Sequence, residues 1–392
     1  MVKLADKKQC TGCSACNDVC PKNAISMEYD TEGFRYPVIN FEKCIKCHLC
    51  ERKCPSLNLK DIERPYIKTY AGYSDKHDVL MNTTSVGVAT ELSEMVLKDG
   101  GVVAGVKYSP DFIYSQYSLA DDFTGINNFR GSKYVQSEKN GIFLEIKKLL
   151  EDGKKVLFVG CPCDVAGLIE VVGTSNLENL LTCELVCMGV SSPRIAEDFI
   201  KYIKDKYKSN ITYMCARSKC KGWFVPTLKI CLENGRTIEQ PLYGSFFGRG
   251  LQVYNRPSCF SCKYRGSNGV GDIRIGDFWG IKKTDDYWNK NGVSCIFVRT
   301  EKGFQAMSTL QNVGFKLFEV DYSIATQNNM SSIFNKSEKY ERLCNKFTEI
   351  FLQHGLIAAC KETSDWGFKI KRIVPAALQP LLKRAYHLLR DK

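Results

Sequence analysis

Two cysteine runs of identical spacing lie within the first 55 residues and constrain the fold of this chain more than any other feature. The first, CTGCSACNDVCP, extends from Cys10 to Pro21, and the second, CIKCHLCERKCP, extends from Cys44 to Pro55. Both read C-x2-C-x2-C-x3-C-P, a run in which the fourth cysteine ligates the cluster of the other run. We therefore expect two [4Fe-4S] clusters whose fourth ligands are crossed.

Crossing assigns four thiolates to each cluster. The first cluster takes Cys10, Cys13, Cys16 and Cys54, and the second takes Cys44, Cys47, Cys50 and Cys20. A pair of structural zinc sites is the alternative, because CxxC pairs commonly bind zinc. Four cysteines in each half, with a proline after both, favour iron-sulfur clusters. Residues 1–60 are thus predicted to form a small bacterial-ferredoxin-like domain, in which metal ligation supplies much of the folding energy.

The composition indicates an intracellular globular protein. The chain has 392 residues and 20 cysteines, and so many thiols inside a cell favour metal ligation or redox chemistry over disulfides. No arginine-flanked apolar N-terminus is present, and the apolar runs are too short to span a bilayer. We expect a cytoplasmic protein without a transmembrane segment.

The formal charge of +12 does not by itself indicate a nucleic-acid partner. Twelve ligating thiolates and three cubane cores of about +2 each would leave roughly +6 on the oxidised protein. No nucleic-acid-binding motif accompanies the basic residues. We predict no nucleic-acid partner and interpret the charge as a solvated surface.

Beyond residue 65, helical and strand patterns alternate. Residues 85–98 have helical periodicity and precede the apolar strand pattern of 101–108, and the same order recurs at 141–153 and 155–160. A helix from Asp164 and one from about Pro193 to Lys206 continue the alternation, which is typical of an α/β fold. From residue 211 the pattern is strand-rich, with a hairpin at Asn234 and Gly235. The predicted class is α+β and α/β, with a mixed α/β core over 66–335 and a helical tail over 336–392.

Four further cysteines lie in loops that follow strands or precede them. Cys163 follows the strand pattern VLFVG, Cys187 ends LLTCELVC, and Cys259 and Cys262 form PSCFSC. Together they make a plausible third [4Fe-4S] site. Cys161 and Cys183 compete for the same role. Burial in a core is the alternative for the four-cysteine set and the default for the six thiols that have no spacing partner, which are Cys215, Cys220, Cys231, Cys295, Cys344 and Cys360.

At these residues the chain resembles the coenzyme F-420 hydrogenase/dehydrogenase beta subunit family. The matching segments are TTSVGVAT (83–90), GSKYVQS (131–137), VLFVGCPCDVAGL (156–168), LVCMGVSSP (185–193), ARSKCKGW (216–223), RPSCFSCKYRG (256–266) and DIRIGDFWGI (272–281). The resemblance implies a core cluster on Cys163, Cys187, Cys259 and Cys262, beside a non-covalently bound FAD. Relatives usually carry Gly-Gly where Val86 and Gly87 stand, threonine at Cys161 and histidine at Met188.

The resemblance also suggests which residues contact the flavin. The predicted contacts are Thr84, Ser85, Gly87, Lys133 and Asp277. The loop of small residues that contains Thr84, Ser85 and Gly87 opens a helix and fits a phosphate or flavin-edge contact. Lys133 could pair with the pyrophosphate. Each has an alternative: Thr84 and Ser85 as an N-cap, Lys133 as a surface lysine, and Asp277 as a turn residue.

These patterns predict an iron-sulfur flavoprotein oxidoreductase. Electrons would pass between an external one-electron carrier, such as a ferredoxin-like protein, the clusters and FAD, with hydride exchange to a deazaflavin or another two-electron acceptor. The main alternative is an electron-transfer subunit that hands electrons to a partner enzyme and has no substrate of its own. Clusters that serve structure or iron sensing are a third, weaker interpretation. The basic, amphipathic residues 366–392 could contact a membrane surface, although a helix docked on its own domain or on a partner subunit is favoured.

Overall fold

The computed structural model describes residues 2–58, 65–329 and 337–364. Its N-terminal part contains one antiparallel hairpin and two short helices, each helix lying within a cysteine run. These elements are α1 (Ala15–Asp18), β1 (Ile25–Tyr29), β2 (Arg35–Ile39) and α2 (Leu49–Arg52). The predicted domain end near residue 60 falls outside the described residues and stays a prediction.

The two cysteine runs share their backbone conformation as well as their spacing. Gly12 and Lys46, each directly before the second cysteine of its run, have φ of 71° and 56°. Ser14 and His48, each directly after that cysteine, have φ of 69° and 57°. Such left-handed residues turn successive backbone N–H groups toward one point, a geometry found at many iron-sulfur sites. The two halves are therefore structural repeats.

Two further sheets follow in the chain. Their strands are β3 (Lys68–Tyr73), β4 (Val102–Tyr108), β5 (Ser115–Ala120), β6 (Ser137–Glu138), β7 (Val156–Gly160), β8 (Leu180–Leu185), β9 (Ile211–Ser218), β10 (Thr227–Leu232), β11 (Thr237–Pro241), β12 (Ile273–Asp277), β13 (Ser294–Val298) and β14 (Lys316–Glu319). The larger sheet has the order β14-β3-β13-β12-β8-β7-β4-β5-β6. Its central strands β12, β8, β7 and β4 are parallel, whereas β13 and β5 flank them antiparallel.

Helices cover this sheet and build a second core beside it. They are α3 (His77–Asn82), α4 (Val88–Lys98), α5 (Phe123–Asn127), α6 (Ile142–Glu151), α7 (Pro162–Val172), α8 (Pro193–Tyr207), α9 (Phe246–Val253), α10 (Glu301–Asn312), α11 (Tyr322–Thr326) and α12 (Glu338–Glu362). α4 packs its buried Leu92 and Val96 onto the strands, as the periodicity predicts. The predicted mixed α/β class is confirmed.

Two predicted helix starts differ from the observed ones. The helix expected over 85–98 begins at Val88, because Val86 and Gly87 have φ of 49° and 96° and cannot continue a helix. The helix expected from Asp164 begins at Pro162, since proline is favoured in a first helical turn. The first shift leaves Thr84, Ser85 and Gly87 in the loop between α3 and α4, and the second places Cys163 in the first turn of α7.

The predicted hairpin belongs to a separate three-stranded sheet, β11-β10-β9, and turns at Asn234 and Gly235. Helices α8, α9 and α12 pack against this sheet through buried residues such as Phe199, Phe247 and Phe347. Residues of α12, which lies within the predicted tail, therefore belong to a hydrophobic core. Residues 365–392, including the amphipathic segment, lie outside the described part. Among the described residues, no helix has the length and apolar character needed to cross a bilayer.

Candidate redox site

The first predicted cysteine set surrounds one cavity. Cys10, Cys13 and Cys16 line it from the first run, and Cys54 reaches it from the second. The cavity encloses about 340 Å³ of atom-free space, part of it open to solvent. Burial raises the pKa of the Cys13 thiol to about 12. A cationic iron core would offset this preference for the neutral thiol, because metal ligation deprotonates cysteine.

The second predicted set surrounds another cavity in the same crossed manner. Cys44, Cys47 and Cys50 line it together with Cys20, around about 360 Å³ of atom-free space. The backbone N–H of Ala24 donates to Cys20 Sγ at 3.2 Å. Cys47 is exposed, so this cavity lies at the protein surface.

The four core cysteines line a third cavity. Cys163, Cys187, Cys259 and Cys262 surround about 570 Å³ of atom-free space. Cys163 and Cys187 follow the parallel strands β7 and β8, and carboxyl ends of adjacent parallel strands meet at one sheet edge. Burial, followed by the negative charges of Asp164, Cys187 and Cys262, raises the pKa of the Cys163 thiol.

The two competing thiols, Cys161 and Cys183, are not among the residues that line the third cavity. Cys161 shares a hydrogen bond with Cys187, which places it beside the third cavity. Cys183 is fully buried within β8 and packs in the core between the sheet and its helices. Position along β8 explains the burial of Cys183, which lies inside the strand, whereas Cys187 lies beyond its end.

Three buried hydroxyl groups also line the third cavity. The side-chain oxygens of Thr11, Ser258 and Tyr264 have no hydrogen-bond partner among the described residues. Buried polar groups without partners are uncommon in proteins. Hydroxyl groups can donate to the sulfur atoms of a cluster, so this donor set fits a [4Fe-4S] group held by four thiolates.

The first and third cavities share a wall. Thr11 lines both of them. Tyr264 is 5% exposed and interacts electrostatically with Cys163 of one cavity and Cys13 of the other. A Cβ atom at Gly167, on α7, would lie 2.9 Å from the Cβ of Cys13, so a glycine permits this close packing. The N-terminal domain thus contacts the core where their cysteine sets are adjacent.

A buried ion network holds the loop after Cys262. Glu184, at 0% exposure, accepts hydrogen bonds from Arg274 Nε at 2.7 Å and from Arg299. Arg274 also donates to the backbone oxygens of Tyr264 and Gly266 and lines the third cavity. The network therefore ties the loop that carries two predicted ligands to the central sheet.

Two of the predicted flavin contacts meet at the end of β12. Ser85 Oγ donates to Asp277 Oδ1 at 3.0 Å, and Trp223 Nε1 donates to the same oxygen at 3.2 Å. Arg217 pairs with Asp277 Oδ2 at 2.9 Å. The half-buried Trp279 stacks on Trp223, with ring centroids 4.9 Å apart.

Sequence reasoning did not assign a role to Arg217, Lys219 or Trp223. Lys219 is 6% exposed, and burial lowers its pKa to about 8. All three lie in the segment ARSKCKGW, whose mixture of basic and aromatic residues was the available signal. The hairpin sheet brings this segment to Asp277, a juxtaposition that local pattern does not reveal.

The remaining flavin candidates lie in the two loops nearby. Thr84 Oγ1 accepts a hydrogen bond from the backbone N–H of Ser132 at 3.1 Å. Gly87 is the N-cap of α4, with φ of 96°. The ammonium of Lys133 donates to the backbone oxygens of Asn128, Arg130 and Gly131. Burial lowers the pKa of Lys133 to about 7. Its predicted pairing with pyrophosphate remains a prediction, because the amine is bound within its own loop.

Two family models match the chain. Residues 153–320 match the C terminus of the beta subunit of coenzyme F420 hydrogenase/dehydrogenase. Residues 9–58 match a 4Fe-4S dicluster domain. The first match includes all four cysteines of the third cavity, and the second includes all eight cysteines of the other two.

Individual relatives agree with these matches. A subunit of the F(420)H(2) dehydrogenase of Methanosarcina mazei is 22% identical over 310 residues, which cover 75% of this chain and 80% of the relative. An uncharacterized ferredoxin of Methanocaldococcus jannaschii is 36% identical over 53 residues, which cover 14% of this chain and 68% of that ferredoxin.

Among solved structures, a chain of the xenon-derivatised F420-reducing [NiFe] hydrogenase complex from Methanosarcina barkeri matches with a TM-score of 0.48 and 16% identity. The match covers 77% of this chain and 93% of that chain. From the sequence matches, the chain carries a domain of the coenzyme F420 hydrogenase/dehydrogenase beta subunit family over residues 153–320 and a 4Fe-4S dicluster domain over residues 9–58, and it is an iron-sulfur oxidoreductase.

Proposed function

We propose that this protein is a three-cluster flavoprotein that exchanges one electron at a time with a protein carrier and two electrons with a small molecule. The observation that carries the proposal is the adjacency of the cysteine-lined cavities. The second cavity reaches the surface at Cys47, and Thr11 lines both the first and the third. Electrons would enter or leave at the surface and pass inward through the first cavity to the third.

Each cavity would hold one [4Fe-4S] cluster. The proposed ligands are Cys10, Cys13, Cys16 and Cys54 in the first, Cys20, Cys44, Cys47 and Cys50 in the second, and Cys163, Cys187, Cys259 and Cys262 in the third. The protein's part is to exclude water, fix the spacing and stabilise charge. The hydroxyls of Thr11, Ser258 and Tyr264, which have no partner within the described part of the chain, would donate to sulfur atoms of the third cluster.

FAD is proposed to bind beside Asp277, at the sheet edge that also carries Cys187. A flavin accepts electrons singly from clusters and exchanges them in pairs with hydride carriers. The Trp279 ring and the Ser85 hydroxyl group suit a flat ring with polar edges, whereas Arg217 and Lys219 supply positive charge. The N-terminus of α4 behind Thr84 and Gly87 suits a phosphate group.

The two-electron partner is proposed to be a deazaflavin or another hydride acceptor. The support is the family, since the relative from Methanosarcina mazei belongs to an F(420)H(2) dehydrogenase. Because that relative is one subunit of its enzyme, we further propose that this chain works with protein partners. The alternative, in which the chain hands all its electrons to a partner enzyme, uses the same clusters and exposed Cys47.

Cofactor counting and turnover together test the proposal. Anaerobically purified and reconstituted chain should contain about twelve irons and one FAD. The reduced chain alone should then transfer hydride to oxidised deazaflavin or nicotinamide. Full cofactors with no hydride transfer would favour the alternative, and about eight irons with no flavin after reconstitution would refute the core assignment.

A further inference from the structure

Arg256 connects the core to the first cysteine set. This side chain is 0% exposed and belongs to the core segment that leads to Cys259. Its Nε donates to the backbone oxygen of Cys10 at 2.7 Å. One terminal nitrogen donates to Cys10 Sγ at 3.6 Å, within the range of hydrogen bonds to sulfur.

Other contacts hold the guanidinium in one orientation. It donates to the backbone oxygen of Arg35 at 2.9 Å and to Gln136 Oε1 at 2.9 Å. It also lies over the Tyr36 ring, 4.1 Å from the centroid. A planar group bound on several edges loses little freedom for each hydrogen bond that it makes. The N–H group that faces sulfur is therefore fixed.

Gly12 makes this approach possible. A Cβ atom at Gly12 would lie 2.9 Å from a terminal nitrogen of Arg256 and 2.3 Å from Gln136 Nε2. Gln136 Nε2 in turn donates to the backbone oxygen of Thr11 at 3.3 Å. The loop between Cys10 and Cys13 is thus shaped to accept two side chains from the core.

A fixed buried cation at a ligand sulfur stabilises the reduced form of a cluster. Arginine stays protonated in proteins, and its charge is weakly screened when buried. Reduction adds one negative charge, and hydrogen bonds to sulfur together with local charge set cluster potentials. Of the described residues that line the second cavity, the basic ones are the exposed Lys22 and the half-buried His48, and a neutral backbone amide donates to Cys20 there.

We propose that Arg256 is a positioning residue that raises the reduction potential of the cluster bound by Cys10. This inference rests on the proposed function. An external carrier would lose one electron to the outer cluster, and the electron would then move inward to the cluster beside Arg256. No proton or bond is exchanged in that step.

Potentiometric titration monitored by electron paramagnetic resonance tests the proposal on the reconstituted full chain. Arg256→Gln should lower the reduction potential of one cluster. Arg256→Lys keeps the charge but loses the planar guanidinium with its several N–H donors, so it should lower that potential less. Cys47→Ser identifies the second cluster's signal, which should keep its potential in both Arg256 variants. Arg249→Gln is the matched control, because Arg249 is 8% exposed and donates to the backbone oxygen of Thr363.

A second readout needs no stable variant. Wild-type protein labelled with guanidino-¹⁵N arginine should show hyperfine coupling between ¹⁵N and the reduced first cluster, and Arg256→Lys should lose it. Absence of this coupling in the wild type would overturn the inference even if Arg256→Gln fails to fold.

Other outcomes separate this inference from the proposed function. Unchanged potentials in both Arg256 variants, with full iron and flavin, would overturn the role of Arg256 alone. An equal shift of all clusters would overturn it too, because a contact at Cys10 acts locally. A wild-type chain without a cluster at Cys10 would overturn the proposed function and this inference together.

Discussion

Ser85 donates a hydrogen bond from its Oγ to Asp277 Oδ1 at 3.0 Å, although 192 residues separate them in the chain. Arg217 binds the other carboxylate oxygen at 2.9 Å. One carboxylate thus joins the loop before α4, the end of β12 and the hairpin sheet. This carboxylate organises the proposed flavin site.

Asp277→Asn should weaken flavin binding and destabilise the core. The change leaves the Arg217 charge buried without its counter-ion, and breaking such a pair costs up to about 3–5 kcal/mol. Flavin retained after gel filtration and the midpoint of urea unfolding measure the two effects. Asp286→Asn, at an exposed position nearby, is the control. Normal flavin content in Asp277→Asn would remove this carboxylate from the site.

Alanine variants of the N-terminal cysteines should form two groups according to the cluster that is lost, and each group should contain cysteines from both runs. Cys54→Ala should lose the same cluster as Cys10→Ala, because Cys54 lines the first cavity. Cys20→Ala should lose the same cluster as Cys44→Ala. Each variant should bind about four irons fewer than the wild type, and electron paramagnetic resonance identifies the lost signal. Cys220→Ala, an exposed thiol, is the control. Grouping by run instead of by cavity would contradict the crossed assignment.

Cys163→Ala and Cys161→Ala should behave differently although the two positions are close in the chain. The first removes a thiol that lines the third cavity, so about four irons and flavin reduction by the N-terminal clusters should be lost. The second removes a neighbour of Cys187 and should leave the iron count unchanged. Iron analysis and anaerobic stopped-flow spectroscopy make the comparison. The reverse result would exchange the two roles.

Glu184→Gln should destabilise the core and loosen the loop that carries Cys259 and Cys262. It removes a buried carboxylate that accepts from Arg274 and Arg299, a change that costs roughly 3–5 kcal/mol. Urea unfolding and iron retention report the loss. Glu319→Gln is the matched control, since its carboxylate is 60% exposed in an ion pair with Lys68 and solvent screens such pairs. Equal effects of the two changes would refute a special role for the buried network.

Lys219 should make the stability of the core depend on pH. Burial lowers its pKa from 10.5 to about 8, so between these values the unfolded chain binds a proton that the folded chain lacks. The free energy of unfolding therefore gains a contribution that rises with pH across this interval. Lys219→Met should reduce the difference between urea midpoints at about pH 7.5 and about pH 9.5. Lys290→Met, at an exposed position, should not.

Regular spacing allowed the N-terminal cysteine sets to be proposed from the sequence. The eight thiols lie in two short runs, and the crossed grouping proposed from those runs is the grouping in which they line the first two cavities. Helices and strands with clear periodicity, such as α4 and the hairpin at Asn234, were also predictable. Helix starts were less so, because left-handed residues such as Val86 override a helical pattern.

The sequence alone determined the local features: the duplicated cysteine runs, the α/β alternation and the segments that resemble a known family. Tertiary structure decided which distant groups meet. It separated Cys163 from Cys161 and Cys183, brought Arg217 and Trp223 to Asp277, and placed Arg256 on Cys10. Ligand spacing and helical periodicity act over a few residues and can be read along the chain. Contacts across a sheet edge or between domains depend on strand order and packing, which no local pattern encodes.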